Sequence, residues 1–85
     1  MQLAFEKGAA TALRRMPKSE ALALRAKLGA ITADPFAHHA GVERMEGIKN
    51  GFRLRQGDWR AVYVVDRAAG ELRVVRIGHR REVYR

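Results

Sequence analysis

Between Gly51 and Tyr84, three short apolar segments, each closed by a turn signal, leave this chain few folds to choose from. Phe52 and Leu54 alternate with Arg53 and Arg55, the two-residue period of a strand with one apolar and one charged face. Gln56-Gly57-Asp58 is a tight connection. Residues 59–66 are rich in β-formers (Trp, Val, Tyr, Val, Val) and predict a second strand, with Trp59, Tyr63 and Val65 on its core face and Arg60, Val62 and Val64 on the other. Arg67-Ala68-Ala69-Gly70 supplies a hairpin loop with a glycine available for positive φ. Residues 72–77 predict a third strand, which Gly78 ends. Consecutive strands with connections this short pair antiparallel.

Upstream, the hydrophobic period changes. Residues 2–5 are apolar and fit either an edge strand or the start of a helix. Ala9, Leu13 and Met16 then recur at helical spacing, with Arg14 and Arg15 off that line. Pro17 interrupts, because proline pushes the residue before it out of the α region. A second helix runs from Lys18 or Ser19 to Thr32, with Ala21, Leu24, Leu28 and Ile31 as its apolar stripe and Asp34-Pro35 as its stop. Residues 36–47 carry no clear period and read as a loop in which Val42, Met45 and Ile48 pack a short turn on the sheet. Lys49-Asn50-Gly51 turns the chain into the first strand. His38-His39 is not a metal pair in this reading, since adjacent residues diverge on any regular element and no matching ligands lie nearby. The expected fold is one α+β domain over residues 1–85 with two layers, an N-terminal helical hairpin packed on one face of a small antiparallel sheet.

Charge narrows the function. Seventeen Lys and Arg against nine Asp and Glu give a net charge of +8, and the excess is concentrated in the second half. Residues 44–85 carry eleven basic groups, ten of them arginine, against five acidic ones. Arginine is a planar, permanently charged fork that suits phosphate, so this half points to a nucleic acid or another polyanion. The absence of cysteine excludes disulfides, thiol catalysis and cysteine-built zinc sites. No apolar run has the length of a membrane span, and the N-terminus lacks the pattern of a signal peptide, so a cytoplasmic protein with no membrane partner is expected.

No phosphate loop, Ser-His-Asp spacing, paired carboxylates or HExxH motif stands out. What remains is arginine, Lys49, His79 and two tyrosines, an inventory suited to cleavage of RNA by its own 2′-hydroxyl. In that reaction the protein supplies no nucleophile and, on this reading, no metal or other cofactor. It takes a proton from the 2′-OH, stabilises charge on the phosphorane and assists the departing 5′-oxygen. A tyrosine base needs its pKa, ordinarily about 10, lowered by nearby cations, and a run of arginines is such a setting. Each residue also has a plainer reading. Arg53 and Arg55 fit an ordinary solvated strand face, and Tyr84 fits a surface packing group. Arg60 is the least easily dismissed, because it shares a strand face with valines.

The pattern Phe52-Arg-Leu-Arg-Gln-Gly-Asp-Trp-Arg-Ala-Val-Tyr63, followed by Ile77-Gly-His-Arg-Arg-Glu-Val-Tyr84, resembles the toxins of the RelE/ParE superfamily, and the RelE-type members most. The resemblance is strongest from Gly47 to Tyr84. It implies a toxin of a type II toxin–antitoxin module that cuts mRNA on the ribosome without a metal, and that a cognate antitoxin silences in a hetero-oligomeric complex. It also implies a site made of Arg60 at the scissile phosphate, Arg80 against transition-state charge and Tyr84 as general base, with His79 as an auxiliary proton donor. Lys49, Arg53, Arg55 and Arg81 would grip the RNA backbone; the family's lysines before the first arginine pair are reduced here to Lys49. ParE-type relatives share the fold and poison DNA gyrase instead, and a basic binding module without toxicity is the remaining alternative.

Overall fold

The computed structural model describes residues 1–80. Its elements are β1 (Gln2–Phe5), α1 (Lys7–Arg15), α2 (Lys18–Thr32), β2 (Val42–Arg44), β3 (Gly51–Gln56), β4 (Trp59–Asp66) and β5 (Glu71–His79). The strands form one sheet in the order β1-β5-β4-β3-β2. The helical hairpin covers one face of it, and the core lies between the two layers.

Both helices end where the sequence stops them. α1 gives way at Met16, whose N–H still reaches Ala12 O and Leu13 O, because Pro17 follows. α2 carries Glu20 in its first turn, where a carboxylate complements the helix dipole. It buries Leu24, Leu28 and Ile31, the stripe expected from their spacing. From the sheet side Leu54, Ala61, Tyr63, Val65, Leu72 and Val74 complete the core.

Three features go beyond the expected sheet. Residues 2–5 are a strand, and β1 joins the edge of β5 in parallel, Gln2 opposite Glu71 and Phe5 opposite Val74, so the sheet is antiparallel from β2 to β5 and mixed overall. A parallel partner needs a long crossover, and the two helices with β2, β3 and β4 provide it. The segment read as a loop contains β2, which pairs antiparallel with β3. The third feature is a bulge in β5. Val62 faces Arg76 whereas Tyr63 faces Val74, so Val75 is the extra residue. Strict alternation from Leu72 would send Arg76 inward and Ile77 outward; the bulge reverses the parity, and Ile77 is buried with Leu72 and Val74. It also lets β5 continue through Gly78, expected to end the strand, as far as His79.

Arg73 is tied up structurally. It lies 3.3 Å from Glu6, 3.7 Å from Asp66 and 3.5 Å from Glu71, joining the exit of β1 to β4 and β5.

Tyr63 has no exposure, stacks on Phe52 at 5.3 Å between ring centroids, and buries a hydroxyl with no hydrogen-bond partner among the described residues. Burial pushes its pKa up to about 12, because desolvation penalises the phenolate. The folded-state value lies above the unfolded value of 10.0. Its contribution to stability is therefore intact below pH 10 and is lost as pH climbs toward 12. Tyr63→Phe keeps the ring, removes an unsatisfied polar group, and should be neutral or stabilising by about 1 kcal/mol. It should also soften the alkaline fall in stability. Urea melts at pH 7 and above pH 10 read both effects, and a loss of more than about 1 kcal/mol at pH 7 would show that the hydroxyl has a partner.

Candidate functional site

On the face of the sheet away from the helices, β3 and β4 bring three arginines together. Arg53 lies opposite Val62, and Arg55 lies directly opposite Arg60. Like charges in directly opposed positions repel at Cβ separations of about 4.5–5.5 Å, so this pair costs stability unless an anion lies between or beside them. Arg60 is partly accommodated by the backbone: its Nη1 donates to Gly57 O at 2.8 Å and to Trp59 O at 3.0 Å. The Arg55 side chain is exposed and has no hydrogen bond or ion pair to a described residue. Arg53 donates to Glu43 at 3.2 Å across the β2–β3 pair. A depression of about 520 Å³ opens here, lined by the three arginines together with Glu43 and His38.

β5 supplies the floor at the other side. Gly78 stands opposite Arg60, so no side chain of β5 crowds the guanidinium at that position. One residue on, His79 stands opposite Trp59 on the helix side, edge-on to the indole at 5.7 Å between ring centroids. The Trp59 Nε1–H donates to Glu20 of α2 at 3.1 Å. The Arg80 N–H donates to Asp58 O at 2.8 Å, which extends the β4–β5 pairing into the β3–β4 turn.

The residues named from sequence therefore separate into groups. Arg53, Arg55 and Arg60 share one face, and the backbone of Arg80 docks at the turn that holds Arg60. His79 belongs to the opposite face, because the bulge at Val75 resets the parity of β5. Lys49 precedes β3, at the end of that strand remote from Gln56 and roughly 17 Å away along it. Arg81 and Tyr84 lie outside the described residues. His38 and Glu43, read as loop residues, line the depression; the alternation in Val42-Glu43-Arg44 was the available signal, but three residues are too few to register as a strand.

Gly41 was missed as well, and it controls Arg55. Its φ is +78°, and a Cβ there would lie 2.6 Å from Arg55 O. The Arg55 N–H donates to Gly41 O at 2.8 Å. Gly41→Ala should therefore force β2 away from β3 at Arg55 and destabilise the protein by about 1–3 kcal/mol. The checks are a urea melt and the Arg55 amide shift; an unmoved Arg55 amide would show that the strands absorb the methyl elsewhere.

The sequence matches the family model of the ParE toxin of type II toxin–antitoxin systems, parDE, over residues 3–84. This chain belongs to the RelE/ParE family of toxins. A search of curated proteins found no match. Solved structures carry the same fold at low identity. The isolated E. coli RelE toxin is 20% identical with a TM-score of 0.80, the match covering 92% of this chain and 82% of that one. The RelE of the archaeal RelE–RelB complex from Pyrococcus horikoshii is 20% identical with a TM-score of 0.79, covering 96% and 97%. The YoeB/ParE toxin from Agrobacterium tumefaciens is 18% identical with a TM-score of 0.77, covering 93% and 98%. The toxin thus presents its arginine face on a scaffold common to members with both names. Among its described residues no helix is long and apolar enough to cross a membrane, and no three His, Asp or Glu side chains converge as metal ligands do.

Proposed function

We propose that this toxin is a ribosome-dependent endoribonuclease that cuts mRNA in the A site and is silenced by a cognate antitoxin. The observation that carries the reading is the opposed Arg55–Arg60 pair: two like charges held face to face on an open strand surface, one guanidinium without a partner among the described residues. A phosphodiester relieves that repulsion and gains two charge-assisted donors.

In the proposed reaction Tyr84 takes the proton of the 2′-OH. The 2′-oxygen attacks phosphorus and the P–O5′ bond breaks. A 2′,3′-cyclic phosphate forms, and the 5′-oxygen leaves with a proton from solvent. Arg60 holds the scissile phosphate and Arg80 stabilises the growing charge, while Arg53 and Arg55 fix the strand. His79 faces the helices, so the register gives it no direct approach to a phosphate on the arginine face.

A second reading has its own support, since the family model that matches is described as the ParE toxin. On that reading the target is DNA gyrase and no RNA is cut. Purified 70S ribosomes carrying a short mRNA decide between them. Cleavage at the A-site codon with a 2′,3′-cyclic phosphate end is the expected result. Accumulation of gyrase–DNA cleavage complexes with intact mRNA would replace the endoribonuclease by the gyrase poison.

A further inference from the structure

The helical layer carries a charge excess that the arginine face does not explain. Residues 7–32 contain six cations, Lys7, Arg14, Arg15, Lys18, Arg25 and Lys27, against one carboxylate, Glu20. Glu20 is engaged by the Trp59 indole, and no helix cation lies within ion-pair distance of a described carboxylate. Three of them, Arg14, Arg15 and Lys18, are exposed and crowd the short link between the helices. Arg14 and Arg15 suit the C-terminal end of the α1 dipole, but Lys18 begins α2, where a cation is unfavourable. Helix electrostatics alone therefore does not account for the cluster.

The fold brings this link to the same end of the molecule as the β3–β4 turn. The Glu20–Trp59 hydrogen bond ties the start of α2 to the start of β4. A notch of about 350 Å³ opens between α1 and the strand ends, bordered by Gly8, Thr11, Arg15, Trp59 and Gly78. Gly78 is the residue that faces Arg60 across the sheet. Cations thus continue from Arg55 and Arg60 around the turn to Arg15, Arg14 and Lys18, with the half-exposed Trp59 and His79 rings between them. Cations interleaved with aromatic rings form the pattern that holds single-stranded nucleic acid: charge follows the backbone and the rings accept bases. A protein partner would want an apolar centre. Among the described residues the large exposed apolar side chains are Met1, Leu22, Phe36 and Ile48, and none belongs to the 14–18 link.

Resting on the endoribonuclease reading, we propose that the tip of the helical hairpin extends the RNA surface beyond the cut. Arg14, Arg15 and Lys18 hold phosphates of the single-stranded mRNA that runs on from the arginine face, and the notch beside Trp59 takes one of its bases. Glu20 and His79 are the groups that hold the indole in place for that base.

The chain has one tryptophan, so its fluorescence reports on the notch directly. The probe is a single-stranded RNA of about ten nucleotides, within the span such surfaces cover, titrated into the whole protein at several salt concentrations. Wild-type fluorescence should be quenched. For Arg14→Ala/Arg15→Ala/Lys18→Ala the slope of log affinity against log salt should shrink by about 2, at roughly 0.7 per phosphate contact on a single strand. Lys27→Ala, more than two turns along α2, should behave as wild type, and lysines at positions 14 and 15 should restore the slope. Unquenched fluorescence, or an unchanged slope in the triple variant, overturns the proposal. A triple variant that loses affinity for mRNA-programmed ribosomes but not for the free strand overturns it in favour of ribosomal RNA. Loss of antitoxin binding alone overturns it in favour of a protein partner. Wild-type protein that binds the strand in this way but cuts no ribosome-bound mRNA removes the endoribonuclease reading and leaves the track. Cutting protein whose triple variant binds as wild type removes the track alone.

Discussion

Tyr84→Phe should lower cleavage of ribosome-bound mRNA by about 10²–10⁴-fold, the usual contribution of a positioned acid–base group. The substitution removes one oxygen and keeps the ring, so the thermal melt should stay within a few degrees of the parent. The role assigned to Tyr84 is removal of the 2′-OH proton, which needs phenolate. The rate of the parent should therefore rise with pH until the phenol is ionised, and the Phe variant should lose that limb. In the sequence, Arg76, Arg80, Arg81 and Arg85 flank Tyr84 against one carboxylate, Glu82, which is the cationic neighbourhood the proposed base needs. If Tyr84→Phe cuts at the parental rate with the parental pH profile, the general-base assignment is wrong and the arginines act alone.

Arg60→Ala should cost about 10²–10³-fold in rate, or 2.7–4 kcal/mol of transition-state stabilisation, and should weaken mRNA engagement as well. Two effects are folded into that number and need separating. Arg60 also donates to Gly57 O and Trp59 O, so its removal leaves two carbonyls of the β3–β4 turn without that donor. At this part-exposed position water replaces the lost donor, and the loss of stability should stay near 1 kcal/mol. Removing Arg60 also relieves Arg55 of a like charge, which offsets part of that loss. A variant nearly as stable as the parent but catalytically crippled is the expected outcome. Arg60→Lys sharpens the test, since lysine keeps the charge but not the planar fork. Recovery of binding without recovery of rate would identify the fork as the element acting on the transition state. Full activity in Arg60→Ala would leave the Arg55–Arg60 opposition without a catalytic meaning.

How far the residues disclosed this arrangement depended on the length of each signal. The second helix was legible in full, because its fifteen residues carry four apolar positions at helical spacing before Asp34-Pro35. β4 was legible because five of its eight residues are β-formers and it lies between two glycine turns, and its two faces came out as the alternation requires, Tyr63 and Val65 inward and Arg60 outward. β2 was hidden because three residues, two of them charged, carry no hydrophobic period. β1 was ambiguous because four residues are too few to separate a strand period from a helical one, and its parallel pairing depends on a partner sixty-nine positions away. The bulge escaped because Val74-Val75 looks like an uninterrupted strand; only the buried Ile77 after the outward Arg76 betrays the extra residue. At the site, Arg53, Arg55 and Arg60 were legible through alternation. The Glu43 partner, the Gly41 approach and the side taken by His79 were not, because each depends on which strands become neighbours.

The position of β5 in the sheet has a consequence for how the toxin comes into being. β5 is the last of the described strands in sequence, yet it lies inside the sheet, and both β1 and α1 rest against it. Until Glu71–His79 has been synthesised, Gln2–Phe5 has no ladder to join, and α1 lacks the strand it packs on most. A nascent chain that has reached Asp66 can close the β2–β3–β4 antiparallel strands, but the parallel β1–β5 pairing, which spans sixty-nine positions, must wait. The arginines of β3 and β4 therefore exist as residues well before they exist as a rigid surface. On the endoribonuclease reading, a chain that has not yet added Glu71–His79 lacks the strand that holds β4 from its other side, and its arginines are not yet fixed for a phosphate.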